Sequence, residues 1–156
     1  MAKTDAAHRK LQRQFEARSP SKTYVALVKG RVEFEEGAVD KAIGHHEKMR
    51  RKMAVSRAAG AREALTRYKV RKRFPGCTLL EIELHTGRTH QIRVHMAHLG
   101  NPVVGDELYG SRKEGERLML HAWKLAFEHP NSGKIMTFKS DWPEDFKKMI
   151  ESLERS

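Results

Sequence analysis

The chain of 156 residues carries a single cysteine, Cys77. That excludes an internal disulfide and any zinc cage built on thiolates. No apolar run is long enough to span a bilayer, and no secretory leader is readable, so the cytoplasm is the expected compartment. There is no internal repeat and no low-complexity linker, which makes residues 1–156 one expected domain. Acids are in the minority, 20 against 31 Lys and Arg, for a net charge of +11. A balance so basic implies a polyanionic partner, nucleic acid before membrane.

What is present reads as α+β. "TDAAHRKLQRQFEARSPS" predicts a helix capped by Thr4 or Asp5, with Ala7, Leu11 and Phe15 on one face and Ser19-Pro20 as its stop. "KTYVALVKG" predicts a buried strand ended by Gly30. Residues 33–46 have glycines, acids and little periodicity, and predict a loop.

Residues 48–73 hold eleven Lys or Arg and one acid, Glu63. The second half of that stretch alternates, with Thr66, Tyr68 and Val70 facing one way and Arg67, Lys69 and Arg71 the other. Phe74-Pro75-Gly76 turns the chain into "CTLLEIELH", so the two runs predict an antiparallel hairpin. "LMLHAWKLAFEHP" and "KIMTFKS" around Asn131-Ser132-Gly133 predict a second hairpin. Pro143 suits the first turn of a last helix striped by Phe146, Met149, Ile150 and Leu153. The expected fold is a mostly antiparallel mixed sheet flanked by helices.

The segment "LHTGRTHQIRVHMAHLGNPVVGDELYG", residues 84–110, raises a sharper question. Thr89 can cap a helix beginning at His90, and Gly100-Asn101-Pro102 stops it. A helical wheel gives Ile92, Met96 and Leu99 a core face, with Gln91, His95 and His98 on a polar side. Arg93 falls at the edge of the buried face. A guanidinium partly removed from water either snorkels to solvent or meets an anion, and Asp106 is a candidate acid. His85, His90 and His95 are five apart, a spacing that shares no face of a helix or strand, so no metal site is read there.

With these residues in view, the segment resembles the signature of RluA/RluD-type RNA pseudouridine synthases, T-G-R-T-H-Q-I-R-V-H followed by G-D-x-x-Y-G. "KTYVALVKG", "RRKMAV", "GAREALTRYKV", "LHAWKLAFEHP" and "PEDF" are similar to family segments in the same order, so the likeness covers nearly the whole chain. It implies a pseudouridine synthase-like catalytic domain that isomerises uridine in structured RNA, ribosomal or transfer, with no cofactor. It implies Arg93 as partner of the nucleophilic aspartate and Tyr24 as the tyrosine that stacks on the target uracil. Arg88, His90 and Gln91 match signature positions near the RNA or the pocket. Arg50, Arg51, Lys52, Arg67, Lys69 and Arg71 are expected to contact the RNA backbone. Asp106 and Tyr109 are read as structural.

The family's nucleophile lies in H-R-L-D-x-x-T-S-G, which does not occur in this chain. None of Asp5, Asp40, Asp106, Asp141 and Asp145 has that context. The resemblance therefore implies that Met1 follows the catalytic residue and that the domain's N-terminal strands are absent. Arg93 is then expected to be a cation without its anion. An RNA-binding protein without catalysis is the alternative on the same scaffold. A metal-dependent nuclease would need a ligand cluster that is not seen.

Overall fold

A computed structural model describes residues 3–17, 19–113 and 116–156. Six strands form one sheet in the order β2-β5-β6-β1-β7-β8, with β1 at Ser21–Lys29, β2 at Glu36–Asp40, β5 at Leu65–Phe74, β6 at Cys77–Leu84, β7 at Leu120–Glu128 and β8 at Ile135–Lys139. Two short strands, β3 (Ile43–His45) and β4 (Met53–Val55), pair separately. The expected α+β class holds, and every strand pairing among the described residues is antiparallel.

Both expected hairpins form. β5 and β6 close through Pro75-Gly76, where Gly76 sits at φ +80°, the left-handed value that a type II turn asks of its third residue. β7 and β8 pair from Lys124↔Lys139 to Glu128↔Ile135. The loop expected over residues 33–46 is corrected: it contains β2 and β3. These strands are short and carry Gly37 and Gly44, so no alternation marks them, and β2 forms because β5 offers it a pairing edge.

Helix α1 spans Asp5–Glu16, and Thr4 Oγ1 accepts the Ala7 amide at 3.1 Å as its cap. Its expected apolar face is only partly used, since Ala7 is buried while Phe15 is 45% exposed. The helix is fastened instead by Gln14, whose side-chain amide donates to the Glu128 carbonyl at 2.7 Å and accepts its N–H at 2.9 Å. Arg18, expected between this helix and its stop, lies outside the described residues, as do Met1 and Ala2.

In antiparallel pairs, opposed residues share a face. Tyr24, Ile82, Tyr68 and Ala122 therefore lie on one face of the sheet. Thr23, Glu83 and Arg67 lie on the other. Helix α2 (Gln91–His98) packs on the first face, joined to Thr66 by Gln91 and His95. Helix α3 (Glu144–Glu154) packs on the second, where Phe146 and Ile150 are buried and Lys72 of β5 bonds Glu154 at 3.0 Å. The main core runs through the sheet between the two helices, from Val25, Leu27, Leu80 and Ile82 to Met96 and Phe146. A smaller cluster of Ile43, Ala64 and Val94 seats β3 and β4 beside α2.

Candidate active site

Helix α2 departs from its expected wheel. Gln91 and His95 are 2% and 0% exposed, while Leu99, expected in the core, is 41% exposed. The polar side is turned inward because each polar atom there finds a partner. Gln91 Nε2 donates to the Leu65 carbonyl and to Thr66 Oγ1, both at 3.0 Å. Its Oε1 accepts from Thr86 Oγ1 at 2.7 Å and from the Arg88 amide at 3.0 Å. His95 Nδ1 is 2.7 Å from Thr66 Oγ1 and Nε2 is 2.8 Å from the Lys41 carbonyl. That carbonyl can only accept, so His95 carries its proton on Nε2 and accepts the Thr66 hydroxyl at Nδ1. Burial above all holds its pKa below the ordinary value of 6.5.

Thr89 is not the helix cap. His90 takes the N-cap position at φ +56°, with no side-chain bond to the helix amides. The turn before the helix is held by Gln91 instead, which ties Thr86 and the Arg88 amide to β5.

Arg93 is not left without an anion. Its Nε donates to Asp106 Oδ2 at 2.8 Å and its Nη2 to Oδ1 at 2.9 Å, a bidentate pair. Asp106 is 1% exposed. Its Oδ1 also accepts the Leu108 and Tyr109 amides, both at 3.0 Å, so it orders the turn as expected. Burial pushes the Asp106 pKa up, but the Arg93 hydrogen bond and charge and the two amides outweigh it, and the net shift is downward. The turn approaches residue 117 so closely that a Cβ on Gly105, at φ +80°, would lie 1.9 Å from the Arg117 carbonyl oxygen. Only glycine fits there.

The paired edge of Arg93 faces Asp106, and Nη1 donates to no group among the described residues. Arg93 also lines a cleft of about 310 Å³ with Tyr24, Arg88, His90 and Gln91. The fold thus brings five of the expected site residues together. Lys22, Leu84, Gly87, Ile92 and Leu120 complete the walls. Lys22 was legible in principle, since it lies two residues before Tyr24 in the same strand and so on its face.

Past His90 and Arg93 the surface opens into a second cleft of about 530 Å³, lined also by Arg51, Glu107 and Leu108. Arg88 reaches back to the Glu63 carbonyl at 2.9 Å. It borders a third cleft, of about 370 Å³, with His45 and Arg62. Arg51 stands on the link between β3 and β4, beside exposed Arg50 and half-buried Lys52, whose Nζ lies 5.7 Å above the Tyr109 ring.

Arg67, Lys69 and Arg71 do not join this group. The strand alternates as expected, but the register puts Arg67 and Lys69 on the sheet face opposite Tyr24, across from Glu83 and Glu81. They share a groove there with Glu36. Arg71 is bonded to Glu81 at 2.6 Å and lies over the Trp123 ring at 5.2 Å. One continuous basic RNA surface over residues 48–73 is therefore not what the fold builds. Its first part borders the cleft, and its second is largely charge-compensated behind the sheet.

Comparison with known proteins gives the chain's family. The family described as RNA pseudouridylate synthase matches residues 1–98. An uncharacterized RNA pseudouridine synthase of Aquifex aeolicus is 43% identical over 99% of this chain and 52% of its own length. The ribosomal large subunit pseudouridine synthase D of Pseudomonas aeruginosa is 42% identical over 98% of this chain and 52% of its own. The chain thus spans about half the length of these curated relatives. The solved structure of human RNA pseudouridylate synthase domain containing 1 superposes with a TM-score of 0.78 at 27% identity, over 99% of this chain and 74% of that one. The matches cover the chain at the level of sequence and fold, and the chain belongs to the RNA pseudouridylate synthase family.

Proposed function

We propose that residues 1–156 are part of a pseudouridine synthase catalytic domain, contributing Tyr24, Arg93 and the RNA-gripping rim to a site that converts uridine to pseudouridine. The observation that carries this reading is one cleft lined by both Tyr24 and Arg93, with Arg93 fixed from behind by Asp106. A guanidinium held on one edge offers its other edge to a second carboxylate. Such a charge keeps a nucleophilic aspartate ionised in an enclosed site. Tyr24 stacks on the extruded uracil and assists loss of its carbon-5 proton. A base can reach that depth only outside its stack, which requires a grip on the flanking backbone. Arg50, Arg51, Lys52, Arg88, His90 and Gln91 lie on or beside the cleft and provide or support that grip.

Ribosomal RNA of the large subunit is the substrate we favour over transfer RNA, because several relatives at about 40% identity carry that substrate in their names. The working compartment is the cytoplasm. RNA binding weakens with salt, with a logarithmic slope of about −0.7 for each phosphate neutralised on single strands.

The test is tritium release from RNA labelled at uracil carbon 5. A protein joining this chain to an H-R-L-D-x-x-T-S-G segment releases tritium. Absence of release from every large-subunit and transfer RNA would overturn the enzymatic reading. One observation favours RNA binding without turnover for residues 1–156 taken alone. The aspartate recorded against Arg93 is Asp106, and both of its oxygens are already engaged. Alone, the chain binds RNA and releases no tritium.

A further inference from the structure

Among the described residues, His90 is the one non-glycine residue at positive φ, +56°. A side chain in that region is strained and persists where its surroundings over-determine it. Here the surroundings centre on Tyr109. Its phenol oxygen accepts the Met53 amide at 2.9 Å and lies 2.8 Å from His90 Nδ1. The two rings meet edge to face, 5.5 Å apart at 76°. The Tyr109 ring also lies under the Arg93 guanidinium at 5.1 Å, and its amide is held by Asp106. One side chain therefore joins β4, the start of α2 and the turn that grips Arg93.

The hydrogen-bond partners of the phenol point to one tautomer of the imidazole. The Met53 amide can only donate, so the phenol oxygen accepts it. The phenol has one hydrogen of its own, and the neighbouring acceptor within reach of it among the described residues is His90 Nδ1 at 2.8 Å; a protonated Nδ1 would leave that hydrogen without a protein acceptor there. Nδ1 is then the bare nitrogen, and the neutral ring carries its proton on Nε2. We propose that Tyr109 is a positioning residue that locks His90 as the Nε2–H tautomer, so that His90 offers the cleft a neutral donor for an acceptor oxygen of the RNA.

The environment suits a neutral ring. Burial first, then the Arg93 charge, lowers the His90 pKa, against an upward pull from Asp106. Arg51 and Glu107 share one cleft with His90, and Arg88 and Lys22 share the other. A neutral N–H between these cations directs an oxygen without adding to their mutual repulsion. The acceptor is either a uracil carbonyl or a phosphate oxygen.

The RNA part of this inference rests on the function proposed above, and the tautomer part does not. Long-range proton–nitrogen correlation spectra of the imidazoles test it, with His90 assigned from the His90→Asn spectrum. At neutral pH we expect His90 with Nε2 protonated and Nδ1 bare, and Tyr109→Phe should yield mixed tautomers. Affinity of Tyr109→Phe for a uridine-containing oligonucleotide should fall about threefold to tenfold, the worth of one neutral hydrogen bond. Titration with uridine or with inorganic phosphate identifies the acceptor by which of them moves the Nε2 resonance. Protonated Nδ1 in the wild-type chain, or an unmixed Nε2–H tautomer in Tyr109→Phe, overturns the lock even if that variant folds poorly. A pure Nε2–H tautomer whose resonance no RNA, uridine or phosphate moves overturns the donor role alone.

Discussion

Helices α2 and α3 cover opposite faces of one sheet and bury themselves by different rules. Helix α3 inserts an apolar stripe, Phe146 and Ile150 with Met149 and Leu153 beside them, and turns Glu144, Lys148 and Glu151 to solvent. In α2, polar Gln91 and His95 are as buried as Ile92 and Met96. Each buried polar group left unpaired would cost about 1–3 kcal/mol, so α2 is stable only because its partners on β5 and at Lys41 are in place. A helix that only packs has no use for such a network. The α2 face is where Tyr24, Arg88, His90 and Arg93 meet, so the buried polar bonds hold the site in shape.

The largest expected effect is at Asp106. Asp106→Ala leaves Arg93 half-buried without its anion and should cost about 3–5 kcal/mol, read from urea unfolding midpoints. On the other face, Phe146→Ala empties a fully buried site and should cost about 3–4 kcal/mol. RNA affinity of the folded Phe146→Ala chain should stay within about twofold of wild type by fluorescence anisotropy, since α3 lies behind the sheet, and binding that falls with it would erase the distinction. Gln91→Ala should cost about 2 kcal/mol, because the Thr86 hydroxyl and the Arg88 amide lose its Oε1 as acceptor and the Leu65 carbonyl loses its Nε2 as donor. Tighter binding by that variant would contradict its role in shaping the rim.

Acidity separates the two faces as well. The folded His95 and His90 have lowered pKa values, so the unfolded chain takes up protons first as pH falls. Their contribution is complete above the ordinary value of 6.5 and is lost as pH drops below it toward the folded values. The lowered Asp106 acts only in stronger acid, keeping its contribution above 3.8. Hydrogen-exchange protection factors, corrected for the intrinsic rate at each pH, should therefore fall in α2 before α3 when pH is taken below 6.5, and uniform loosening would argue against the histidine account. The smallest effect belongs to Thr4→Ala, about 1 kcal/mol at the α1 cap, far from either face's contrast.

The sequence revealed these regions unevenly. The β5–β6 and β7–β8 hairpins announce themselves by alternation and by Pro75-Gly76 and Gly133, because strand period and turn geometry are local properties. Strands β2, β3 and β4 are three to five residues long and are stabilised by neighbours rather than by their own pattern. The α3 stripe was legible because it is ordinary. The polar side of α2 misled because its partners, Thr66 and Lys41, lie 25 to 54 residues away. Arg93 and Tyr24 were marked by family resemblance, and the bond to Asp106 was one of two outcomes the spacing allowed. The split of the basic cluster depends on the register of β5 against β6, which charge counting along the chain cannot see.

In the function proposed above, Tyr24 and Arg93 form one chemical site. Tyr24→Phe removes a single oxygen from the cleft wall and leaves the ring in place. In a protein joining this chain to the aspartate-bearing segment, we predict that tritium release from labelled large-subunit RNA falls at least about 100-fold, the scale of one lost proton-transfer group, with RNA affinity unchanged. Release at the wild-type rate would contradict the claim.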